Sequence, residues 1–247
     1  APLQSNRSRN WFGLDWFLFN LKLNHKFSSA SNLSINFFGL DAERSSIGFR
    51  SNRVDQVDPF TERDLIKGEF NNHGVEVKYL NDYSFFNLKN VFVIGGKYYR
   101  SKSTSKQGPG SNLGDADFEF YLDKFPNYTN QSDYIYPNKN IAIFGENIIY
   151  ITDKISLTPG LRYENILTRS NGSFKQINLD AAGNVIFNNT TYEKQNSRRS
   201  FFLFGLGLSY KASKDIEWYS NVSQNYRSVT FADISIINPS YAINPNI

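Results

Sequence analysis

Apolar and polar residues alternate with a period of two along most of this chain, and the alternation is cleanest over residues 141–164, IAIFGENIIYITDKISLTPGLRYE. Two apolar-rich runs flank Thr152, Asp153 and Lys154. After that turn Ile155, Leu157, Pro159, Leu161 and Tyr163 fall on one side, and Ser156, Thr158, Gly160, Arg162 and Glu164 on the other. A strict period of two is the signature of a strand with one apolar and one polar face. Such a hairpin suits either a soluble sandwich, with its apolar face in a core, or a membrane barrel, with that face in lipid.

The same pattern recurs. Residues 11–27 place Phe17, Phe19, Leu21 and Leu23 opposite Asn20, Lys22, Asn24 and Lys26. After a polar turn at 28–32, Leu33, Ile35 and Phe37 oppose Ser34 and Asn36 in a strand reaching about residue 49. Val75, Val77 and Tyr79 oppose Glu76 and Lys78, with a turn expected at 81–84. Leu88, Phe92, Ile94 and Tyr98 oppose Asn87, Lys89 and Lys97. Beyond the 141–164 hairpin, Phe202, Phe204, Leu206, Leu208 and Tyr210 alternate with Gly205, Gly207 and Ser209. After a turn at 211–215, Ile216, Trp218, Val222 and Tyr226 alternate with Glu217, Asn221, Asn225 and Arg227. Residues 1–10 and 232–247 read as loop.

These are eight strands in four hairpins, with unequal connections. The turns near 30, 83, 153 and 213 are short, whereas 50–70, 101–134 and 168–198 read as long polar loops. In a meander all the short turns then fall at one end and all the long loops at the other, the asymmetry of an outer-membrane barrel. Loops this long are uncommon inside a compact soluble domain and are usually functional. Strands of about 12–17 residues exceed the usual soluble length and suffice for a tilted crossing of about 9–11 residues. The expected fold is all-β, an antiparallel up-and-down transmembrane β-barrel.

Composition sharpens this picture. Aromatic residues make up 16% of 247 residues, including 22 Phe and 15 Tyr, yet mean hydropathy is −0.48. Many aromatics at low mean hydropathy suit alternating strands with aromatic girdles. No apolar run approaches the roughly 18 residues of a transmembrane helix, and no signal peptide is visible. The chain starts at Ala1 and contains no Met, which is expected of a processed chain or an internal piece. The absence of Cys removes disulfides, thiolate metal sites and Cys nucleophiles. The net charge of +4 mildly favours anionic partners.

The segments IFGENIIYITDKISLTPGLRYE, YSNVSQNYRSVTFADI and NPSYAINPNI resemble the barrel of TonB-dependent outer-membrane receptors, most specifically in LTPGLRYE at 157–164 and NYRSVTFADI at 225–234. RNWFGLDWFLFNLKLNHKF at 9–27 resembles the ferric-citrate-type members. The resemblance implies about eight strands of a 22-stranded type of barrel, with the plug and remaining strands outside these residues. It also implies a Gram-negative outer membrane and uptake of a scarce nutrient, with a ferric chelate expected. A TonB-type energy-coupling protein would act through the plug. The partners implied are outer-membrane lipid and an anionic ferric chelate, with no cofactor beyond iron carried in that chelate. Two alternatives stand beside it: a complete eight-stranded outer-membrane barrel acting as adhesin or anchor, and a soluble all-β ligand-binding protein.

Candidate chemistry is sparse. Asp115, Asp117 and Glu119 have the spacing that opens a calcium loop, but the positions that need Gly and Glu hold Phe120 and Pro126. His25 and His73 are the only histidines, too few for a metal cluster, and are expected at a membrane interface or in the lumen. No GxSxG, HExxH or P-loop pattern occurs, and no enzyme is expected. Basic residues alternate along strands instead of clustering, which favours lumen lining over nucleic-acid binding. The expected loops differ in charge: 50–70 carries −1 and 101–134 with Arg100 carries −1, whereas 168–198 with Arg199 carries +3. Arg169, Lys175, Lys194, Arg198 and Arg199 are therefore the expected ligand-binding residues, because guanidinium groups match carboxylates in a bidentate way. Anchoring of Arg198 and Arg199 at the headgroup level is the competing reading. No metal-ligating or catalytic residue is expected.

Overall fold

The computed structural model describes residues 7–51, 55–85 and 87–226. Arg53, the end of the eighth expected strand, most of the NYRSVTFADI run and the 232–247 tail lie outside the described residues.

The chain folds as one antiparallel sheet in the order β1 to β8, with every strand beside its sequence neighbours. The strands are β1 (Trp11–Lys26), β2 (Ser31–Gly48), β3 (Asp64–Phe85), β4 (Leu88–Pro109), β5 (Gln131–Tyr150), β6 (Ile155–Leu179), β7 (Val185–Lys211) and β8 (Glu217–Ser223). Among the described residues β1 and β8 do not pair with each other, so the sheet is open.

The hydropathy pattern explains the register. Phe17, Phe19, Leu21 and Leu23 share a face with Ile35 and Phe37 of β2. These align with Val75 and Val77 of β3, which align with Gly96 and Tyr98 of β4. The same face continues through Ile141 and Ile143, Leu157, Leu161 and Tyr163, then Phe202, Phe204 and Leu208, to Trp218 and Val222. A one-residue slip anywhere would send an entire apolar row to the polar side. Along β7 the members of this apolar row are exposed, whereas the intervening residues are half-buried. We call the exposed apolar side the outer face and the more enclosed side the inner face of a curled sheet. The expected pairing of Leu157, Leu161, Phe204 and Leu208 on one face, with Arg162 and Glu164 on the other, is what the register gives.

The four short turns sit at one end, as expected. Ser28 Oγ accepts the backbone N–H groups of Ala30 and Ser31, both at 3.1 Å. Thr152 Oγ1 accepts those of Lys154 at 3.2 Å and Ile155 at 3.0 Å. The second turn lies beyond Phe85, not at 81–84. Asn81 and Asp82 remain in the β3–β4 ladder, and Asn87 adopts a φ of 61°, which asparagine tolerates better than most residues.

The other end departs further from expectation. Among the described residues the loops are 49–51 with 55–63, and 110–130. The segment expected as a third long loop is instead a hairpin: β6 runs 25 residues and β7 27, joined by a turn at 180–184. Polar residues dominate both faces of this extension, so it lacks hydropathy contrast and its strand character is carried by the ladder instead. Asp180 caps the tip. Its Oδ1 accepts from the backbone of Ala182 at 2.9 Å and Asn184 at 2.8 Å, and Gly183 takes a φ of 86°. Hydrogen bonds from the Asn184 side chain and from nearby backbone hold the Asp180 carboxyl below its usual range.

Candidate functional site

The loop-bearing end has two distinct surfaces, and the alternation of strand positions decides which residues reach each. On the inner face, Trp16 aligns with Ala42, Ala42 with Phe70, Phe70 with Ser103 and Ser103 with Tyr136. The Arg44 guanidinium lies 5.8 Å from the centroid of the Phe70 ring, close enough for a cation–π contact. Tyr134 and Tyr136 stack at 5.9 Å with an interplanar angle of 11°. The Tyr134 hydroxyl donates to Glu193 Oε2 at 2.9 Å.

That last contact crosses a strand. Tyr134 pairs with Gly172, and Gly172 with Glu193. A Cβ at Gly172 would sit 2.5 Å from Tyr134 Cδ1 and 2.2 Å from the Asp133 carbonyl oxygen, so only glycine lets the tyrosine lie across β6. Gly74 does the same one level lower. It separates Phe38 from Tyr99, whose rings stack at 6.2 Å and 13°, and a Cβ there would approach Phe38 Cζ to 2.6 Å. Lys97 Nζ stands 5.2 Å from the Phe38 ring centroid. Below this aromatic tier the inner face is ionic, with Lys78 Nζ 2.6 Å from Glu76 and Arg162 Nε 2.5 Å from Glu164. Polar acceptors on this face, Asn36 Oδ1, Asn140 Oδ1 and Glu164 Oε2, are buried without a hydrogen-bond partner.

The five cations expected to form one ligand-binding loop are divided between the two faces. Arg199 follows the inner-face row, aligned with Ile166. Asn140 pairs with Ile166 and Tyr99 with Asn140, so Arg199 shares its face with Tyr99. Arg169, Lys194 and Arg198 lie on the outer face, continuing the apolar row above its upper limit. Lys175 is also on that face and donates from Nζ to the Pro126 carbonyl at 3.1 Å. A loop could have turned all five towards one ligand. A strand cannot, because neighbouring residues such as Arg198 and Arg199 must point to opposite sides.

Sequence reasoning missed the inner-face aromatics because Trp16, Phe70, Tyr134 and Tyr136 break the lower pattern of apolar-outside residues. That inversion was the available signal: on β1 the apolar positions switch parity above Phe17, to Phe12, Leu14 and Trp16.

The two loops are tied down behind this surface. Arg63 is fully buried and uses all five of its N–H donors. They reach the Ser111 carbonyl and hydroxyl at 3.1 and 2.7 Å, the Arg9 and Asp115 carbonyls at 3.1 and 2.7 Å, and Asp117 Oδ1 at 2.5 Å. Asp64, also buried, accepts from Gln107 Nε2 at 2.9 Å and from the Tyr128 hydroxyl at 2.8 Å. Burial, with the nearby Asp64 charge, pushes the Tyr128 hydroxyl above the usual range for tyrosine. Arg9 forms a two-pronged pair with Asp58, at 2.9 Å from Nε and 2.5 Å from Nη2, and this holds the Asp58 carboxyl below its ordinary value of 3.8.

Asp115 and Asp117, which resembled the start of a calcium loop, thus serve Arg63. No group of three or more His, Asp or Glu residues able to hold a metal occurs among the described residues. His25 and His73 are both on the outer face, at opposite edges of the apolar band, and not in the interior. His25 makes an edge contact with Phe27 at 4.6 Å.

The arrangement offers aromatic planes and cations on the enclosed side, and an apolar belt bordered by cations on the exposed side. The first can receive an anionic ligand with flat or greasy parts; the second fits a bilayer.

Comparison with known proteins follows this geometry. The solved ferric citrate transporter FecA in its unliganded form matches with a TM-score of 0.65 at 16% identity, over 94% of this chain and 30% of that one. The siderophore receptor PiuA from Acinetobacter baumannii matches at 0.60 and 12%, over 87% of this chain and 32% of that one. The ferric yersiniabactin uptake receptor FyuA from Yersinia pestis matches at 0.55 and 12%, over 84% and 27%. At these identities the likeness is one of fold, and the chain spans about a third of the length of each of these receptors. No curated protein matches in sequence. The family model of the TonB dependent receptor-like β-barrel matches residues 2–247, and the chain belongs to that family as a segment of its barrel.

Proposed function

We propose that these residues form part of the barrel of an outer-membrane receptor that takes up an anionic ferric chelate with the help of a TonB-type energy-coupling protein. The open sheet supports a larger barrel: in lipid, free strand edges are untenable, so β1 and β8 need further partners. The remaining strands, and a plug that would engage the coupling protein, are proposed to lie outside these residues. The family assignment favours transport over catalysis, and iron enters as cargo, not as a resident cofactor.

The observation that carries the ligand reading is the inner face at the loop-bearing end, where Arg44 stands beside Phe70 with Trp16, Tyr134 and Tyr136, and Arg199 lies a level lower in the Tyr99 row. Of the five cations first expected to meet the ligand, Arg199 is the one on the inner face and the one retained in this proposal. The outward side of β6 and β7 turns Arg169, Lys175, Lys194 and Arg198 away from a lumen ligand.

The test uses the full-length receptor with ferric citrate as probe. Replacing Arg44 and Arg199 together by Ala is expected to weaken binding at least tenfold and to flatten its salt dependence, while the Arg198→Ala variant leaves both unchanged. Uptake is expected to stop when the inner membrane is de-energised. Unchanged ferric citrate affinity in the Arg44/Arg199 variant, with the barrel assembled, would overturn the ligand assignment.

A further inference from the structure

Just above the apolar belt the charge of the outer face divides by strand. On β1 to β3 it is acidic. Asp15 is the first outer-face residue above Phe17, Asp41 the second above Phe37, and Glu43 and Glu69 follow higher. Lys67 stands among them, tied to Glu43 at 3.0 Å. On β4 to β7 the face is basic. Arg100 is the first outer-face residue above Tyr98 and Lys139 the first above Ile141, with Lys102, Arg169, Arg198 and Lys194 higher on their strands. Asp133, an acid on this side, is paired with Lys106 at 3.6 Å. Counted from the belt on each tilted strand, the acids and the cations lie at the same depth. Asp15, Asp41, Glu69 and the six cations are exposed and have no ion-pair partner among the described residues. Like charges also stand directly opposite across strands, Asp15 with Glu43, Glu43 with Glu69, and Arg100 with Lys139. Such pairs destabilise a sheet left to itself.

Two further features lie where the two signs meet. The acids line an open cleft of about 680 Å³ over β1 to β4, with Phe17 and Lys102 also in its wall. In the belt below, Gly96 of β4 and Gly145 of β5 face outward, in the rows of Val77 with Ile143 and of Ile94 with Leu161. A Cβ at either position would meet only a backbone oxygen at 3.6 Å, an ordinary contact, so packing within the sheet does not call for glycine. A glycine inside a strand often marks the close approach of another backbone.

From this we infer that the outer face centred on β4 docks a second copy of the receptor, side by side with the first in the membrane. The inference rests on the membrane reading of the barrel but not on its cargo. Two copies in one membrane stand the same way up, so a twofold axis relating them runs along the membrane normal. An axis beside β4 sets β3 of one copy against β5 of the other, and β2 against β6. Glu69 and Asp41 then meet strands that carry Lys139 and Arg169, and the symmetry makes that match twice. Gly96 lies beside the axis, where the two belts come closest. The charge pattern selects the occupant. A partner of a single charge sign matches half of this face, whereas a second copy matches all of it and relieves the repulsion within both panels.

The experiment places the full-length receptor, labelled in separate batches with donor and acceptor fluorophores, in vesicles of uncharged lipid and reads energy transfer against protein density. The parent is expected to form dimers, and fewer of them in about 1 M salt, where the screening length falls to about 3 Å. The acid-reversed variant Asp41→Lys, Glu69→Lys and the base-reversed variant Lys139→Glu, Arg169→Glu are each expected to self-associate at least about tenfold more weakly, because like charges then meet. Mixed together, the two variants are expected to regain the energy transfer of the parent, since each now matches the other. A parent that stays monomeric at every density overturns the inference, as does association that ignores salt. Reversed variants that self-associate like the parent, or a mixture that stays apart, also overturn it. Should a reversed variant not assemble, disulfide capture decides. Gly96→Cys is expected to cross-link two copies and Phe204→Cys, far from the axis, to leave them single; no cross-link through Gly96→Cys overturns the inference. A receptor that stays in solution without detergent would instead defeat the membrane reading on which the inference stands.

Discussion

The two structures that rise from the loop-bearing end are held up by different means. The cap made by the described residues of 49–63 and by 110–130 has little regular structure, and its order comes from buried polar side chains. Arg63 gathers Arg9, Ser111, Asp115 and Asp117, and Asp64 gathers Gln107 and Tyr128. The β6–β7 hairpin has the opposite construction. Its ladder is nearly continuous from Ile155 to Leu179, and its side chains are mostly exposed towards the tip. Irregular backbone cannot satisfy its own N–H and C=O groups, so a buried loop needs side chains to do so. A hairpin satisfies them with its partner strand and leaves its side chains free for other work. The cap should therefore fail at single residues, whereas the hairpin should fail only where its backbone geometry is disturbed.

The largest expected effect is at Arg63. Its replacement by Met removes the guanidinium donors of the Arg9 and Asp115 carbonyls and strips Asp117, the Ser111 hydroxyl and the Ser111 carbonyl of their charged partner. Breaking a buried charged network by removing one partner costs roughly 3–5 kcal/mol. Limited proteolysis is expected to cut within 110–130 while β6 and β7 stay resistant. Equal protection of the cap in this variant would erase the distinction between the two regions. A smaller effect is expected at Gly172, where Ala forces Tyr134 and the Asp133 carbonyl apart. Overpacking of this kind costs about 1–3 kcal/mol, and amide exchange should rise along 131–136 and 170–175 without any change in the cap.

The smallest effect is one of pH. The Asp58 carboxyl is held below 3.8 by Arg9. A carboxyl lowered on folding contributes its stability above the unfolded value, and that contribution fades as pH falls through the folded value. Mild acid below about pH 4 is expected to loosen 49–63 before it disturbs the hairpin. The Asp58→Asn variant should lose this acid step. Amide exchange across 55–63 as a function of pH checks it.

Legibility of the sequence follows the same division. Where one face met an apolar surround and the other did not, the alternation gave the strands, their register and the placement of Leu157, Leu161, Arg162 and Glu164. Above the belt both faces are wet, and the pattern loses contrast. Residues 101–109 and 168–198 therefore read as loop although they are ladder, and the only local sign of the true turn was Asp180 followed by Gly183 and Asn184. The expected loop placed Arg198 and Arg199 on one surface for the same reason, whereas consecutive strand positions point to opposite faces. The cap was hidden more deeply, since nothing local marks Arg63 as a residue that joins segments about 50 positions apart.

The central claim is that the apolar face meets lipid while the inner face meets water. The chain contains no Cys, so single cysteines can be introduced and labelled cleanly. With the full-length receptor in lipid vesicles, Cys replacing Arg162 or Glu164 is expected to react with a charged, water-soluble maleimide, and Cys replacing Leu161 or Phe204 to stay unreacted until detergent is added. Labelling of the Leu161 and Phe204 positions in intact bilayers, with protection at Arg162 and Glu164, would contradict the account.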